Sequence, residues 1–339
     1  MGILTPARTS SAKARRRIVL ALPGNQAVAA RLAVPLAAEV GDAELKRFPD
    51  GEFHVRLQTP VRDAEVAIIC TLDRPDEKVL SLLWLAIAAH QGGACRVGLA
   101  APYLAYMRQD AIFQPGEIRT AQHFAALLTR YFDWLVTVDP HLHRVQNLSD
   151  IYGMPATAVQ AAPAVAAWVQ AHVGAPLLVG PDEESRQWVE HVAGLCGAPW
   201  TVLSKTRHSA WNVEVSAVEP DLRAECTPVL IDDIISTGRT MIETAQQVRR
   251  AGLHPPVCVA VHAVFAADAY RELSAVAADV VTCDTIAHPS NRIELTEFIA
   301  AAISTIFDLP LPVATPRLAR SGPGSYANDG KTSTPRDAS

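Results

Sequence analysis

Val229-Leu230-Ile231-Asp232-Asp233-Ile234-Ile235-Ser236-Thr237-Gly238-Arg239-Thr240-Met241-Ile242-Glu243 runs three apolar residues into two adjacent carboxylates, a Ser/Thr/Gly turn and the start of a helical pattern. That order reads as a buried strand, a loop and a helix N-terminus. Backbone N–H groups at a helix start have no acceptor within the helix, and the helix dipole adds positive character, so the loop suits a phosphate. Ser236, Thr237 and Thr240 add hydroxyl donors. Asp232 and Asp233, expected at the strand's carboxyl end, suit sugar hydroxyls or a metal-water cluster. A capped turn in any α/β protein has the same outline. Two carboxylates at a buried strand end are costly without partners, however, which favours a site.

Around this stretch lie 339 residues, enough for one large or two ordinary domains, and 49% of them are apolar. Charge is uneven. Residues 1–17 carry five basic side chains and no acidic ones, and residues 311–339 carry four basic and two acidic; with a net charge of −5, the body between holds −12. Such a body argues against duplex nucleic acid as the main partner, but not against phosphorylated small molecules. The six cysteines are far apart with no C-x-x-C spacing, so a zinc site is not expected and the thiols read as reduced in a cytoplasm. Arg15-Arg16-Arg17 before Ile18–Leu22 imitates a secretion signal, but Pro23-Gly24-Asn25 ends the apolar run too early. No apolar run is long enough to span a membrane.

Other polar motifs fall at turns and strand ends. Pro49-Asp50-Gly51 is turn chemistry between alternating residues, which predicts a hairpin; its tip would present Phe48 as a flat face with Asp50 and Glu52 as acceptors, a combination that suits adenine. Buried strands are predicted at Glu65–Thr71, Cys95–Ala101 and Trp134–Val138. Arg108-Gln109-Asp110 follows the second of these and Asp139-Pro140-His141-Leu142-His143 the third, where ligands of open α/β sheets collect. Arg108 can fork onto phosphate oxygens and Gln109 can read a base edge, or Arg108 and Asp110 are a surface pair of little consequence. His141 suits a phosphate or a magnesium-bound water. A strand Leu177–Gly180 ends in Asp182-Glu183-Glu184, of which the two glutamates also suit the first turn of a helix. Lys205 and Arg207 are two apart, and in an extended segment they point the same way. Pro289-Ser290-Asn291 is expected to cap a final helix over Glu294–Ile303.

Read in order, Phe48-Pro49-Asp50-Gly51-Glu52, Arg108-Gln109-Asp110, Asp139-Pro140-His141, Lys205-Thr206-Arg207 and Asp232-Asp233 through Thr240 resemble phosphoribosyl-pyrophosphate synthetase (ribose-phosphate pyrophosphokinase) over about residues 17–305. The Asp232–Thr240 loop alone also resembles that of type I phosphoribosyltransferases. Three departures mark a divergent branch: Ser236 replaces a second Asp, Arg239 a Gly, and Glu183-Glu184-Ser185-Arg186 a glycine-containing turn.

The resemblance implies an α/β fold of two tandem phosphoribosyltransferase-type domains with parallel sheets. A basic tail would cover 1–16, an ATP-binding domain 17–157, a ribose-5-phosphate-binding domain 158–308 and a second tail 309–339, the domains meeting near Ala156–Ala162. It implies transfer of the diphosphate of ATP to the C1 hydroxyl of ribose 5-phosphate, with Mg2+, in a cytoplasmic homo-oligomer with shared active sites. Phe48, Asp50 and Glu52 would hold adenine from a neighbouring subunit, with Arg108 and Gln109 along the ATP. His141 and Asp182 would serve metal and phosphates, and Lys205 and Arg207 a catalytic loop. Asp232 and Asp233 would take the ribose hydroxyls, and Ser236, Thr237, Gly238, Arg239 and Thr240 the 5-phosphate. A phosphoribosyltransferase and a catalytically silent paralogue remain the alternatives.

Overall fold

Apolar residues on both faces of a strand demand cover on both sides, which a parallel sheet between helices provides. The computed structural model describes residues 15–112, 114–141, 147–203 and 226–310. Strands β1 (Arg17–Ala21), β2 (Glu39–Val40), β5 (Glu65–Ile69), β6 (Arg96–Ala101), β7 (Trp134–Val138) and β8 (Ala156–Val159) form a parallel sheet in the order β2-β1-β5-β6-β7-β8. Strands β9 (Pro176–Gly180), β10 (Trp200–Val202), β11 (Thr227–Ile235), β12 (Val257–Ala263), β13 (Asp279–Cys283) and β14 (Asn291–Ile293) form a second, in the order β10-β9-β11-β12-β13-β14. Once the hairpin β3 (Ala43–Arg47) and β4 (Phe53–Leu57) is set aside, the two orders are the same, so one topology occurs twice in tandem. The hairpin is antiparallel, as Pro-Asp-Gly predicts, and turns on Gly51 with φ +95°.

The two sheets share one core. Helices α1 (Gln26–Ala33), α4 (Ala162–His172), α5 (Arg186–Cys196) and α8 (Thr296–Phe307) contribute to a single buried cluster that reaches from Val19 and Val136 to Val229 and Val259. The outer faces are covered separately, by α2 (Val79–Gln91) and α3 (Thr120–Thr129) on the first sheet and α6 (Arg239–Arg250) and α7 (Ala269–Ser274) on the second. The last helix of the chain, α8, packs on α1, β7 and β8 of the first half, with Phe307 set edge-on to Trp134 at 5.8 Å. Trp134 lies across from Gly98 in the sheet; a Cβ there would sit 1.8 Å from the indole, so the ring needs that glycine. Among the described residues no helix is long and apolar enough to cross a membrane.

Ala156–Val159, in the stretch where the domains are expected to meet, is the last strand of the first sheet, paired with β7. One local expectation is corrected. Asn291 does not cap the final helix. Its amide donates to Thr282 Oγ1 (2.9 Å) and Cys283 O (2.7 Å), stitching a short strand β14 onto β13, and the helix begins five residues later at Thr296.

Candidate active site

In an open parallel sheet a crevice forms where the strand order reverses, beyond the carboxyl ends of the strands. In the second sheet that point lies between β9 and β11. Asp182 follows β9, and β11 carries Asp232 and Asp233 into the loop Ser236–Gly238. Strand β11 runs on to Ile235, so both aspartates lie inside the strand rather than at its end. Gly238, with φ +70°, makes the left-handed turn that starts α6, and Ala266 N–H bonds the Ser236 carbonyl (3.1 Å) to hold the loop down.

A cleft of about 1060 Å³ opens here. Its walls include Asp182, Asp232, Asp233, Ser236, Thr237, Gly238, Arg239 and Thr240 from the second half, and Arg108, Asp139 and His141 from the first. Asp182 and Asp232 thus line one cleft between the halves of the chain. Arg239, at the first helical position, is exposed at the rim.

Contacts inside the cleft are specific. His141 Nδ1 meets Asp233 Oδ2 at 2.5 Å, a bond between the two halves of the chain. Asp233 N–H donates to Asp232 Oδ1 (3.0 Å). Burial pushes the Asp232 carboxyl well above its usual range, and Asp233 beside it adds to the effect. Burial also works to raise Asp233, but the hydrogen bond and charge of His141 outweigh it, and the group ends below the ordinary value. Asp182 accepts from Ser185 N–H (3.1 Å), capping the turn before α5, and Glu183 pairs with Arg186 on the surface. Burial lifts Asp139 to about 6, against the hydrogen bond from Ala161 N–H (2.8 Å).

Other predicted residues lie elsewhere. Phe48, Asp50 and Glu52 form the hairpin tip, outside the cleft; Asp50 accepts from Glu52 N–H (3.1 Å), and Lys46 lies over the Phe48 ring. Gln109 is exposed and does not line the cleft. Leu142, His143, Lys205 and Arg207 lie outside the described residues.

One wall was missed. Glu184, Gln187, Trp188 and His191 line the cleft from the turn into α5. Their spacing of three, four and seven places them on one helical face, a period visible in the sequence had the segment been read for polar as well as apolar recurrence. Among the described residues, no three His, Cys, Asp or Glu side chains converge as a metal cluster.

Comparison with known proteins bears on the same residues. Residues 17–131 match a family model described as the N-terminal domain of ribose phosphate pyrophosphokinase, and residues 156–296 match a phosphoribosyl transferase domain. The chain belongs to the ribose-phosphate pyrophosphokinase family. A ribose-phosphate pyrophosphokinase of Methanopyrus kandleri is 34% identical over 293 residues, 85% of this chain and 99% of that protein. One of Thermococcus kodakarensis is 31% identical over 260 residues, 76% and 90% of the two chains. The crystal structure of phosphoribosylpyrophosphate synthetase from Mycobacterium smegmatis has the same fold, with a TM-score of 0.76 at 23% identity over 87% of this chain and 99% of that one. Because ribose-phosphate pyrophosphokinase sequence covers both halves, a lone phosphoribosyltransferase unit does not account for residues 17–131.

Proposed function

We propose that the chain transfers the β,γ-diphosphate of ATP to the C1 hydroxyl of ribose 5-phosphate, giving phosphoribosyl pyrophosphate and AMP. The observation that carries this reading is the single cleft in which the Asp232–Thr240 stretch and Asp182 meet Arg108 and His141 of the other half. Hydroxyls of Ser236, Thr237 and Thr240, with N–H groups of Gly238, Arg239 and the first turn of α6, take the 5-phosphate. Asp232 and Asp233 accept from the ribose hydroxyls. Arg108 and Gln109 lie along the ATP, and Phe48, Asp50 and Glu52 complete the adenine pocket of a neighbouring copy in a homo-oligomer.

The C1 oxygen bonds to the β-phosphorus as the bond from that phosphorus to the α,β-bridging oxygen breaks; AMP leaves with the electron pair, and the hydroxyl proton is released to solvent. Negative charge grows on the bridging oxygen, where Lys205 and Arg207 supply positive charge and exclude water. Magnesium fits the donor set as an ion carried mainly by water and substrate oxygens, which is its usual preference. Asp182 commits Oδ1 to Ser185 and would meet such an ion through Oδ2, and His141, oriented by Asp233, would meet it or its water. When bound, the ion draws charge from the transferred phosphates. We place the protein in the cytoplasm, where cysteines stay reduced.

The test is purified protein with ATP, magnesium and ribose 5-phosphate, followed for AMP. Release of AMP that requires ribose 5-phosphate is the expected result. Nucleotide binding without AMP would replace the reading with that of a silent paralogue.

A further inference from the structure

His262 lies in β12, next to the strand that carries the aspartate pair, and is 1% exposed. It faces away from solvent into the seam between the halves. Its Nε2 reaches the carbonyl oxygen of Asp139 (3.2 Å), and its Nδ1 lies 2.9 Å from the Thr285 hydroxyl. A carbonyl can only accept, so Nε2 carries the proton; the Thr285 hydroxyl, which donates to the Val261 carbonyl (2.9 Å), stands beside Nδ1. The Tyr103 ring stands edge-on to the imidazole at 5.0 Å, closing the third side.

The residue it holds is unusual. Asp139 has φ +28°, a value an L residue adopts only when its surroundings hold it there. Three contacts do so. Asp139 N–H donates to Val159 O (2.9 Å), its Oδ2 accepts from Ala161 N–H (2.8 Å), and its carbonyl accepts from His262. The first two belong to the first sheet and its following loop; His262 comes from the second half, as does Trp188 of α5, whose side chain favours the ionised form of the Asp139 carboxyl. Pro140 leaves little backbone freedom before His141, which reaches back to Asp233 on β11. Residues 139–141 are therefore gripped twice by neighbouring strands of the second sheet, once at the corner and once at the tip.

We propose that His262 is a positioning residue: by fixing the Asp139 corner from β12, it sets where His141 stands against Asp233 and hence against the transferred phosphates. Burial keeps its ring neutral, with a pKa down at about 4, so it acts as a fixed neutral donor. The proposal rests on the diphosphokinase reading for its kinetic consequence, but its geometric content does not.

Three variants in the full chain test it. His262→Phe keeps a ring and removes both nitrogens, His262→Gln keeps one donor toward the Asp139 carbonyl, and Thr71→Val removes the seam bond from Thr71 Oγ1 to Thr285 O (2.9 Å) without touching Asp139. The first readout is the histidine ring region of a long-range 1H–15N spectrum, with His141 assigned from His141→Gln. His141 signals should move in His262→Phe, return toward wild type in His262→Gln and stay in place in Thr71→Val. The second readout is turnover. His262→Phe should lose about tenfold or more in kcat with the KM for ribose 5-phosphate within about twofold, and His262→Gln should recover part of that loss. If His262→Phe does not fold, Thr285→Val, which frees Nδ1, takes its place with the same expected directions. An unmoved His141 signal, or a loss that His262→Gln does not relieve and Thr71→Val matches, overturns the proposal. Absence of AMP from the wild type would overturn the diphosphokinase reading instead, and the His141 spectrum would still decide this one.

Discussion

The same strand order occurs twice in this chain, and the two crevices it creates have opposite fates. Between β9 and β11 the crevice is open and lined by carboxylates, hydroxyls and a helix start. Between β1 and β5 the corresponding place holds Asn25 and Thr71, 3% and 7% exposed. There Thr71 N–H donates to Asn25 Oδ1 (2.8 Å), and Thr71 Oγ1 donates to the Thr285 carbonyl of the other half (2.9 Å). Beside it Arg31 pairs with Asp284 (2.7 Å). One crevice keeps its polar groups for a ligand; the other spends them on docking the second half. Topology makes a crevice, and the residues at the two strand ends decide whether it receives substrate or protein.

If the first sheet is scaffold, damage there should cost stability. Arg96 and Glu65, side chains 4% and 2% exposed, pair at 2.6 Å at the amino ends of β5 and β6, and Arg96 also donates to the Phe307 carbonyl at the end of α8 (2.9 Å). Glu65→Leu leaves a buried guanidinium without its carboxylate and should cost about 3–5 kcal/mol by chemical denaturation. Glu65→Leu with Arg96→Met should recover most of it; a double variant as unstable as the single one would contradict this account.

The open crevice should instead lose rate. Lys205→Ala and Arg207→Ala are each expected to lower turnover roughly 10²–10³-fold, with ATP affinity nearly unchanged, because their contacts form mainly in the transition state. Wild-type turnover in both would remove the role assigned to them.

Asp139, where the halves meet, supplies a pH test. Its folded value of about 6 lies above the ordinary 3.8, so the folded state holds this proton more tightly. That contribution is fully present below the ordinary value and is lost as pH rises toward the folded one. The stability of wild type relative to Asp139→Asn should therefore fall by up to about 3 kcal/mol between about pH 4 and 6 and level off above. A constant difference across that window would show that the carboxyl is better solvated than its burial implies.

The smallest effects give the sharpest contrast. Thr240→Val should weaken ribose 5-phosphate binding by on the order of 1.5–3 kcal/mol, and ATP binding less, with stability unchanged. Thr71→Val should do the reverse, costing about 0.5–1.5 kcal/mol of stability and no ribose 5-phosphate affinity. Calorimetric binding and denaturation of both proteins check the pair; equal losses in both assays would erase the distinction between the crevices.

Much of this was legible before any coordinates. Trp134–Val138 is a strand with the expected bounds, because a continuous apolar run bounded by charge and turn residues marks a buried parallel strand. The Asp232–Thr240 loop was readable for the same local reason: strand, turn and helix start are contiguous. Ala156–Val159 was not, since a four-residue edge strand with only its last residue buried has no distinct period. Asn291 misled because an Asn after Pro-Ser is good capping chemistry, and only the approach of β13 turns its amide into a cross-strand donor.

Local chemistry, then, dictated the parallel layering, the repetition of αβ units and the phosphate-type loop, since burial, capping and turn formation act between residues near one another in the chain. Long-range packing dictated the rest. His141 meets Asp233 across 92 residues, His262 meets Asp139 across 123, and Thr71 meets Thr285 across 214. Which crevice stays open, which histidine faces the cleft and which one braces it depend on how two similar sheets share one core, and contacts at such separations leave no period in the sequence to read.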